Sequence, residues 1–321
     1  MEKRVAAALH VCVIALLVGA SAYIVMASLH EASIPPYLRA VAVWPVNAVI
    51  LSAVIRAAEG TRAAMFAACL LADLLANLAL GDSYVTAWLL ALSNAFEVLV
   101  AVALFARRGT RGIQMPCHRL IVDLAFRAGI IAPACGATLA ASLLALIEHA
   151  PLPTTWSIWF MADALGMFII LPLTLAVTTD DLHGLIPTRK LGEAFLILTA
   201  FITTDIVVFA QTRYPILFML FPLLMLTAFR LCFPGVVLML CVSSYVAVSF
   251  THMGLGPISL VAGAIPEERI LLLQFFLAAA VLTALPIAAI ERRHEDLKRN
   301  LHHRVTELAK TCKPHIVHGR F

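Results

Sequence analysis

Long apolar runs occupy most of this 321-residue chain, and short polar clusters separate them. A helix needs about 20 consecutive apolar residues to cross the hydrocarbon layer of a bilayer. Dividing the chain wherever charges, prolines or glycines interrupt runs of that size predicts about ten membrane-spanning helices. They cover residues 5–29, 37–55, 63–80, 84–106, 121–147, 156–177, 191–210, 214–229, 231–250 and 270–290.

The stretch 214–250 is the most ambiguous of these regions, because Arg230 interrupts it. A single helix of that length would be roughly 55 Å long at 1.5 Å per residue, nearly twice the thickness of the hydrocarbon layer. Two short helices fit the bilayer better. The predicted fold class is therefore all-α, a polytopic transmembrane helical bundle of about ten spans, with eight to ten as the range.

The basic residues of the loops fall mainly on one side of such a bundle. With the N-terminus inside, ten spans place eleven basic residues in inner loops and three in outer loops, the asymmetry typical of cytoplasmic loops. We therefore predict a multi-pass protein of the plasma (inner) membrane with both termini in the cytoplasm. The inner residues are Lys3, Arg4, Arg56, Arg62, Arg107, Arg108, Arg111, Arg119, Arg189, Lys190 and Arg230, and the outer ones are Arg39, Arg213 and Arg269.

The composition agrees with a membrane location. Hydrophobic residues make up 62% of the chain, charged residues only 13%, and the mean hydropathy is +0.96, which excludes an ordinary soluble domain. The net charge of +4 is dispersed in short clusters, so we expect membrane lipid rather than nucleic acid as the partner. The seven cysteines form no CxxC pair, which argues against a zinc site or a disulfide framework.

After residue 290 the chain becomes strongly charged, and the apolar residues Ile290, Leu297, Leu301, Val305 and Leu308 recur at three-, four- and seven-residue spacing. Such a pattern is typical of an amphipathic helix with coiled-coil character. We predict two regions, an integral membrane domain at 1–290 and a cytoplasmic juxtamembrane helix and tail at 291–321. The helix either relays a signal through Leu297, Leu301 and Leu308, with a homodimer as a possible arrangement, or lies frayed on anionic lipid.

Ionisable side chains inside spans are the most informative positions, because each costs a few kcal/mol at the bilayer centre. One such acid, Asp205, follows two threonines in the seventh predicted span. A buried acid either fixes helix packing or belongs to a functional site. For three of the acids together we favour a polar cavity that binds a small ligand or protons. These three are Asp73, with Asn77 one turn later, Glu97, three residues after Asn94, and Asp163, one turn after Trp159.

Two other polar features favour structural roles. Asp123 and Arg127 stand at the i, i+4 spacing of a helical ion pair near one end of a span, which indicates an anchoring salt bridge. Prolines within or at the ends of spans, such as Pro45 and Pro172, free backbone carbonyl groups but are common in membrane helices. The chain contains no Walker A loop, HExxH, GxSxG or kinase motif, so we predict no enzyme, no catalytic residue, no metal site and no cofactor.

The polar motifs, in their order and spacing, resemble the first class of MASE membrane-associated sensor domains. The resemblance covers roughly residues 5–290 and implies a sensory bundle followed by a cytoplasmic output module of the PAS, cyclase or kinase type. Two features depart from the family. Val46-Asn47-Ala48 stands where a glycine often follows the Trp-Pro pair, and no output module follows in the roughly thirty residues after the last span. The motifs are Trp44-Pro45, Asp73 to Asn77, Asn94 to Glu97, Trp156 to Trp159, Asp163 to Gly166, and Pro172.

Three functions follow as hypotheses from these features. The preferred one is a sensory membrane domain, in which a ligand of unknown identity or a proton near Asp73, Glu97, Trp156, Trp159 and Asp163 shifts the last span and so signals to a cytoplasmic signalling protein. The second is a transport-type or solute-binding membrane protein that uses the same polar residues. The third is a membrane scaffold that recruits a partner through its tail.

Overall fold

The computed structural model describes residues 42–106, 126–176, 191–260 and 266–312, together with residues 13, 14, 16, 17, 19 and 20. These six early residues are helical, and the rest of the first predicted span lies outside the described residues. Eight α-helices follow one another in the described part, which contains no strand. They are α1 Val46–Arg56, α2 Arg62–Ala79, α3 Tyr84–Ala106, α4 Ala132–Glu148, α5 Leu152–Ala176, α6 Leu191–Ala210, α7 Leu220–His252 and α8 Pro266–Cys312.

Seven helical segments of the described residues are long and apolar enough to cross a membrane, and two more, Val46–Arg56 and Leu217–Leu231, are shorter and apolar. The protein is thus an integral membrane bundle of helices, as predicted. Helices α3 and α6 have the predicted bounds. Their ends coincide with polar connections such as that at Gly81, whose φ of 87° suits a residue without a side chain.

The predicted beginning of the second span, 37–55, is wrong, because the described residues of this span before Val46 are not helical. Ala42 to Pro45 are not helical, and α1 starts only at Val46 with Pro45 at its N-cap. A residue that precedes proline is disfavoured in the helical region, so Trp44 cannot easily extend the helix backwards. Its backbone N–H instead donates to the carbonyl of Ala162 in α5 at 2.9 Å, which attaches the start of α1 to α5.

Helix α7 is assigned as one 33-residue element, yet the chain reverses direction within it. Leu220 and Leu240 line one small cavity, although a straight helix would place them about 30 Å apart. The apolar segments Leu217–Leu231 and Gly235–His252 lie on either side of the reversal. The guanidinium of Arg230, close to the turn, pairs with the carboxylate of Glu193 at the start of α6 at 2.7 Å. The prediction of two short helices therefore describes the path of the chain better than one helix does.

Helix α5 stands between two apolar cores. Its residues Met167 and Leu171 pack with α1, α2 and α3, whereas Leu165 and Ile169 pack with α6, α7 and α8. A displacement of α5 would therefore be felt on both sides of the bundle, because close-packed interiors transmit strain.

The last helix, α8, joins the final predicted span and the charged helix without interruption. It contains 47 residues, which corresponds to about 70 Å, more than twice the hydrocarbon thickness. Beyond Ile290 its apolar side chains Leu297, Leu301 and Leu308 are 56 to 65% exposed. The continuity agrees with the sequence, while the domain boundary at residue 290 stays a prediction.

Candidate functional site

Five polar side chains from four helices meet in the interior of the first half of the bundle, and we call them the acid cluster. Glu97 is 13 residues after the first residue of α3, about 20 Å along the helix and thus within the apolar layer. Each of the five is at most 3% exposed. They are Asn47 of α1, Asp73 of α2, Asn94 and Glu97 of α3, and Asp163 of α5.

Two asparagine amides join the acids. The Asn47 amide nitrogen donates to Glu97 Oε2 at 2.9 Å, and it also lies 3.4 Å from Asp163 Oδ1 and 3.3 Å from Asn94 Oδ1. The Asn94 amide nitrogen donates to Asp73 Oδ2 at 2.9 Å. Since an amide nitrogen has only two hydrogens, Asn47 cannot satisfy three acceptors at once. The cluster therefore permits more than one arrangement of its hydrogen bonds.

The carboxyl groups of Glu97 and Asp163 lie within hydrogen-bonding reach of each other. The Asp73 carboxyl is close enough to Asp163 for electrostatic repulsion between the two. The groups that interact with these three carboxyls are acids, asparagines and Cys135, with no basic side chain of the described residues among them. A hydrogen bond between two carboxyls needs a proton on one of them. Within the described residues, a shared proton is thus what lets the Glu97 and Asp163 carboxyls approach, because unpaired charges are expensive in a dry interior.

Two glycines allow the helices to approach closely around the acids. A Cβ atom at Gly136 of α4 would lie 2.8 Å from Glu97 Oε2 and 2.9 Å from Glu97 Cβ. A Cβ atom at Gly166 of α5 would overlap the carbonyl oxygen of Trp44. Small residues at helix contacts are typical of membrane bundles, where they let backbones and polar groups meet. Gly166, part of the sequence motif, thus has a clear packing role.

Several buried polar atoms in and near the cluster have no hydrogen-bond partner among the residues that the structure describes. Asn47 Oδ1, Asp73 Oδ1 and Glu97 Oε1 belong to the cluster itself, and the indole nitrogens of Trp44 and Trp159 are also unsatisfied. Buried polar atoms usually find a partner in the protein or in ordered water. These atoms concentrate unsatisfied hydrogen-bonding capacity within and beside the acid cluster, as far as the described residues go.

The remaining residues predicted for the site have different positions. Asn77 is buried, but its amide donates to the backbone carbonyl of Asp73 in its own helix at 2.9 Å. Trp159 packs against a small apolar group that includes Leu144. Trp156 lies apart from the hydrogen bonds of the cluster, since its indole donates to Thr138 Oγ1 at 3.0 Å and its ring stacks on Phe160 at 5.1 Å.

Of the predicted structural residues, Arg127 lies in a π-helical turn, Arg127–Ile131, that precedes α4. One of its guanidinium nitrogens donates to the carbonyl of Leu104 in α3 at 3.0 Å, so the side chain does join two elements. Asp123 lies outside the described residues, and its pairing with Arg127 stays a prediction. Pro172 is part of α5.

The sequence did not single out two residues that the structure makes prominent. Asn47 is the central hydrogen-bond donor of the cluster, and the sequence marked it only within Val46-Asn47-Ala48, the stretch that replaces the glycine often found after the Trp-Pro pair. Gln274 of α8, fully buried, donates to the carbonyl of Ile158 in α5 at 2.9 Å. It connects the last helix to α5 five residues before Asp163.

No group of three or more His, Cys, Asp or Glu side chains in the described ranges is arranged to hold a metal ion. A family model described as MASE1 matches residues 11–294, most of the chain. Searches of curated proteins and of solved structures found no match.

Proposed function

Because this chain belongs to the MASE1 family of membrane-associated sensor domains, we propose that it detects a proton or a small ligand at the acid cluster and passes the signal to a cytoplasmic output module. The observation that carries this proposal is the buried contact between Glu97 and Asp163, bridged by Asn47. Family membership supports the sensory role, and the cluster supplies a place where the signal acts.

The interaction energy between the Glu97 and Asp163 carboxyl groups depends on whether they share a proton. With a proton between them the two carboxyls attract, whereas without it two like charges about 4 Å apart repel by about 4 kcal/mol at an effective dielectric constant near 20. A change of about 1.4 kcal/mol already alters an equilibrium tenfold. Loss or gain of one proton, or of a cation in its place, is therefore sufficient to move α3 relative to α5.

Helix α5 is the element that this movement displaces most directly. It carries Asp163, its carbonyl at Ala162 accepts from Trp44, and its carbonyl at Ile158 accepts from Gln274 of α8. A shift of α5 at Asp163 therefore acts on α8 through a direct hydrogen bond. Since α8 continues unbroken to Cys312, it delivers the movement beyond the bilayer.

The proposal includes an orientation and a set of partners. Both termini lie on the cytoplasmic side of a bacterial inner membrane, because most basic loop residues fall on the side that holds the termini. Residues 291–321 form the cytoplasmic region, and two copies associate through the exposed Leu297, Leu301 and Leu308 to act on a cytoplasmic signalling protein. The exposure of these leucines supports an apolar partner for this part of α8.

A reporter fusion tests the sensory role. A reporter output domain is joined in frame after α8, and its activity is followed while the external pH is varied. We expect the wild type to respond and the Asp73→Asn, Glu97→Gln, Asp163→Asn triple variant not to respond. Glu148→Gln is the matched control, because Glu148 bonds to Thr86 away from the cluster. A triple variant that responds like the wild type would contradict the proposal.

One observation favours a second function, the transport of a small solute. The reversal within α7 places two short antiparallel helical segments inside the bundle, and broken helices line many transporter sites. Uptake of a solute or of protons into proteoliposomes that contain only this chain would support transport, whereas reporter signalling without uptake would support sensing.

A further inference from the structure

The surroundings of the acid cluster differ between its two sides. We call the side where α2 ends and α3 begins the Gly81 end, and the side where α1 ends the Arg56 end. Toward the Arg56 end, Leu51 of α1, Met65 of α2 and Met167 of α5 are each at most 2% exposed and belong to one continuous apolar core. Buried apolar side chains therefore separate the cluster from that end.

Toward the Gly81 end, buried polar groups continue from the cluster along two helices. In α3, Ser93 lies one turn before Glu97 and is 2% exposed. In α5, Thr155, Trp159 and Asp163 follow one another at four-residue spacing, so they lie along one face of the helix. The Thr155 side chain is 0% exposed, and among the described residues neither its hydroxyl nor the Trp159 indole nitrogen has a hydrogen-bond partner.

A small apolar contact joins α3, α4 and α5 between these polar groups. Leu90, three residues before Ser93, packs in one group with Leu144 of α4 and with Trp159. Leu144 is 0% exposed, so the contact is closed. The group is separate from the large apolar core on the other side of the cluster. Apolar packing between α3 and α5 is therefore much thinner toward the Gly81 end.

Few titratable groups face the acids from the neighbouring helices. Cys135 of α4 acts on Glu97, while α1 and α8 contribute neutral amides. Arg127 lies in the π-helical turn near the Arg56 end, and Glu148 lies in the last turn of α4 at the Gly81 end. Among the described residues, the ionisable groups that act on Glu97 and Asp163 are thus Cys135 and the acids of the cluster.

We propose that the acid cluster exchanges protons with the Gly81 end alone, along Ser93, Thr155 and Trp159, and that the apolar core closes it to the Arg56 end. This inference rests on the proposed sensing of protons. A hydroxyl group both donates and accepts hydrogen bonds, so each one takes up a proton from water as it releases its own toward the acids. Because the loop charges favour the outside for the Gly81 end, the cluster responds to external pH.

The test follows protonation of the cluster in the full chain, tethered by a C-terminal tag to a solid-supported bilayer. Helix α8 begins near the Gly81 end, where Gln274 contacts α5, and leaves the bundle at the Arg56 end, so the bulk solution faces the Gly81 end. Surface-enhanced infrared spectroscopy records the C=O stretch of protonated carboxyl groups after a step to acidic pH. The band that Glu97→Gln removes belongs to the cluster.

We expect this band to rise directly after the pH step in the wild type. A rise that occurs only after a protonophore is added would overturn the route and leave proton sensing intact. A band that does not change even with the protonophore would overturn both.

Paired variants on the two sides of the cluster locate the route. Ser93 and Ser52 are both buried, and each donates to a carbonyl of its own helix at 2.9 Å, but Ser52 lies toward the Arg56 end. We expect Ser93→Ala to slow the rise about tenfold, which corresponds to a barrier higher by about 1.4 kcal/mol, and Ser52→Ala to leave it unchanged. Thr155→Val should slow the rise similarly, and Thr155→Ser should restore it.

A second pair tests the apolar contact. Leu144→Ala opens the contact with Trp159, so we expect the band to rise about tenfold faster, as for a barrier lower by about 1.4 kcal/mol. Leu277→Ala is the control, because Leu277 is equally buried but belongs to the apolar core of the other half of the bundle. The two pairs are independent, so the test survives if one variant fails to fold. Equal rates within either folded pair would overturn the proposal.

Discussion

The two halves of the bundle bury acids in opposite ways. In the acid cluster, three carboxyls and two amides from four helices contact one another directly, and Asn47 bridges them. In the other half, the carboxyl group of Asp205 has one hydrogen-bond partner among the described residues, the hydroxyl of Ser243 in α7. The first arrangement offers several acceptors to the same amide hydrogens, whereas the second holds one carboxyl group through one hydrogen bond.

The two regions also differ in how tightly the neighbouring helices pack around the acids. Around the cluster, an added Cβ atom at Gly136 would meet the Glu97 side chain and one at Gly166 would meet the Trp44 backbone, so close packing restricts how far these helices can move. Ser243 lines a small cavity, and it holds Asp205 through one hydrogen bond. Polar networks in a low dielectric are costly when only partly satisfied. We therefore expect substitutions in the cluster to be more destabilising than equivalent ones near Asp205.

The largest effect is expected for Gly166→Ala, which introduces a Cβ atom that overlaps the Trp44 carbonyl oxygen. Helix α1 must move, and with it Asn47, at a cost of about 3 kcal/mol or more, the upper range for overpacked interiors. Unfolding in SDS titrations of the micelle-bound protein measures the loss. Gly192→Ala is the control, because nothing lies within 4 Å of its added Cβ. Equal stability of the two variants would show that α1 does not depend on this contact.

Asn47→Leu should have the next largest effect. It removes the donor to Glu97 Oε2 and leaves buried acceptors unsatisfied, which costs about 2 kcal/mol. Ser243→Ala, the equivalent loss beside Asp205, should cost about 1 kcal/mol or less, because it removes one hydrogen bond to one acceptor. SDS titration of both variants under the same conditions gives the comparison. If Ser243→Ala proves the more harmful, the contrast between the two halves is wrong.

The sequence predicted much of the framework behind this contrast. Hydrophobic length and polar interruptions located α3 and α6 with correct ends. The rule that acids are costly within spans pointed to Asp73, Glu97 and Asp163, which the structure brings together. The length of the stretch 214–250 also predicted the two segments of α7, since a single helix of that length would be longer than the hydrocarbon layer is thick. Each of these predictions rests on local length or on the cost of burying a charge.

What the sequence missed depends on contacts between distant helices. Asn47 and Gln274 carry neutral amides, which are cheap enough in spans that no local rule separates a bridging amide from a passive one. Their roles follow from partners 50 and 116 residues away. The start of α1 was placed too early because hydropathy does not register the backbone bond between Trp44 and Ala162. The predicted grouping of Trp156 with the acids relied on a motif, and the structure gives its indole a different partner.

Gln274→Leu tests the connection between the cluster and α8 at small cost to stability. Only one hydrogen bond to the Ile158 carbonyl is lost, so we expect a change of about 1 kcal/mol in unfolding free energy. Signalling by a reporter fusion should fall much more, because α5 and α8 lose their polar link. Thr283→Ala is the control, since Thr283 is exposed and bonds to Ala279 of its own helix. Normal signalling by Gln274→Leu would place the relay elsewhere.

The smallest change in unfolding free energy is expected for Glu97→Gln. A small change would show that the cluster needs a hydrogen at this position rather than a charge. The amide oxygen still accepts from Asn47, and the amide N–H₂ supplies the hydrogen that Glu97 and Asp163 otherwise need to share. We expect a change below about 0.5 kcal/mol, whereas Glu97→Ala should cost about 1 to 3 kcal/mol, because it leaves buried groups without partners. SDS titration distinguishes the two. A Gln variant as unstable as the Ala variant would mean that the cluster requires a charged carboxylate at Glu97, and with it a cation bound among Asp73, Glu97 and Asp163.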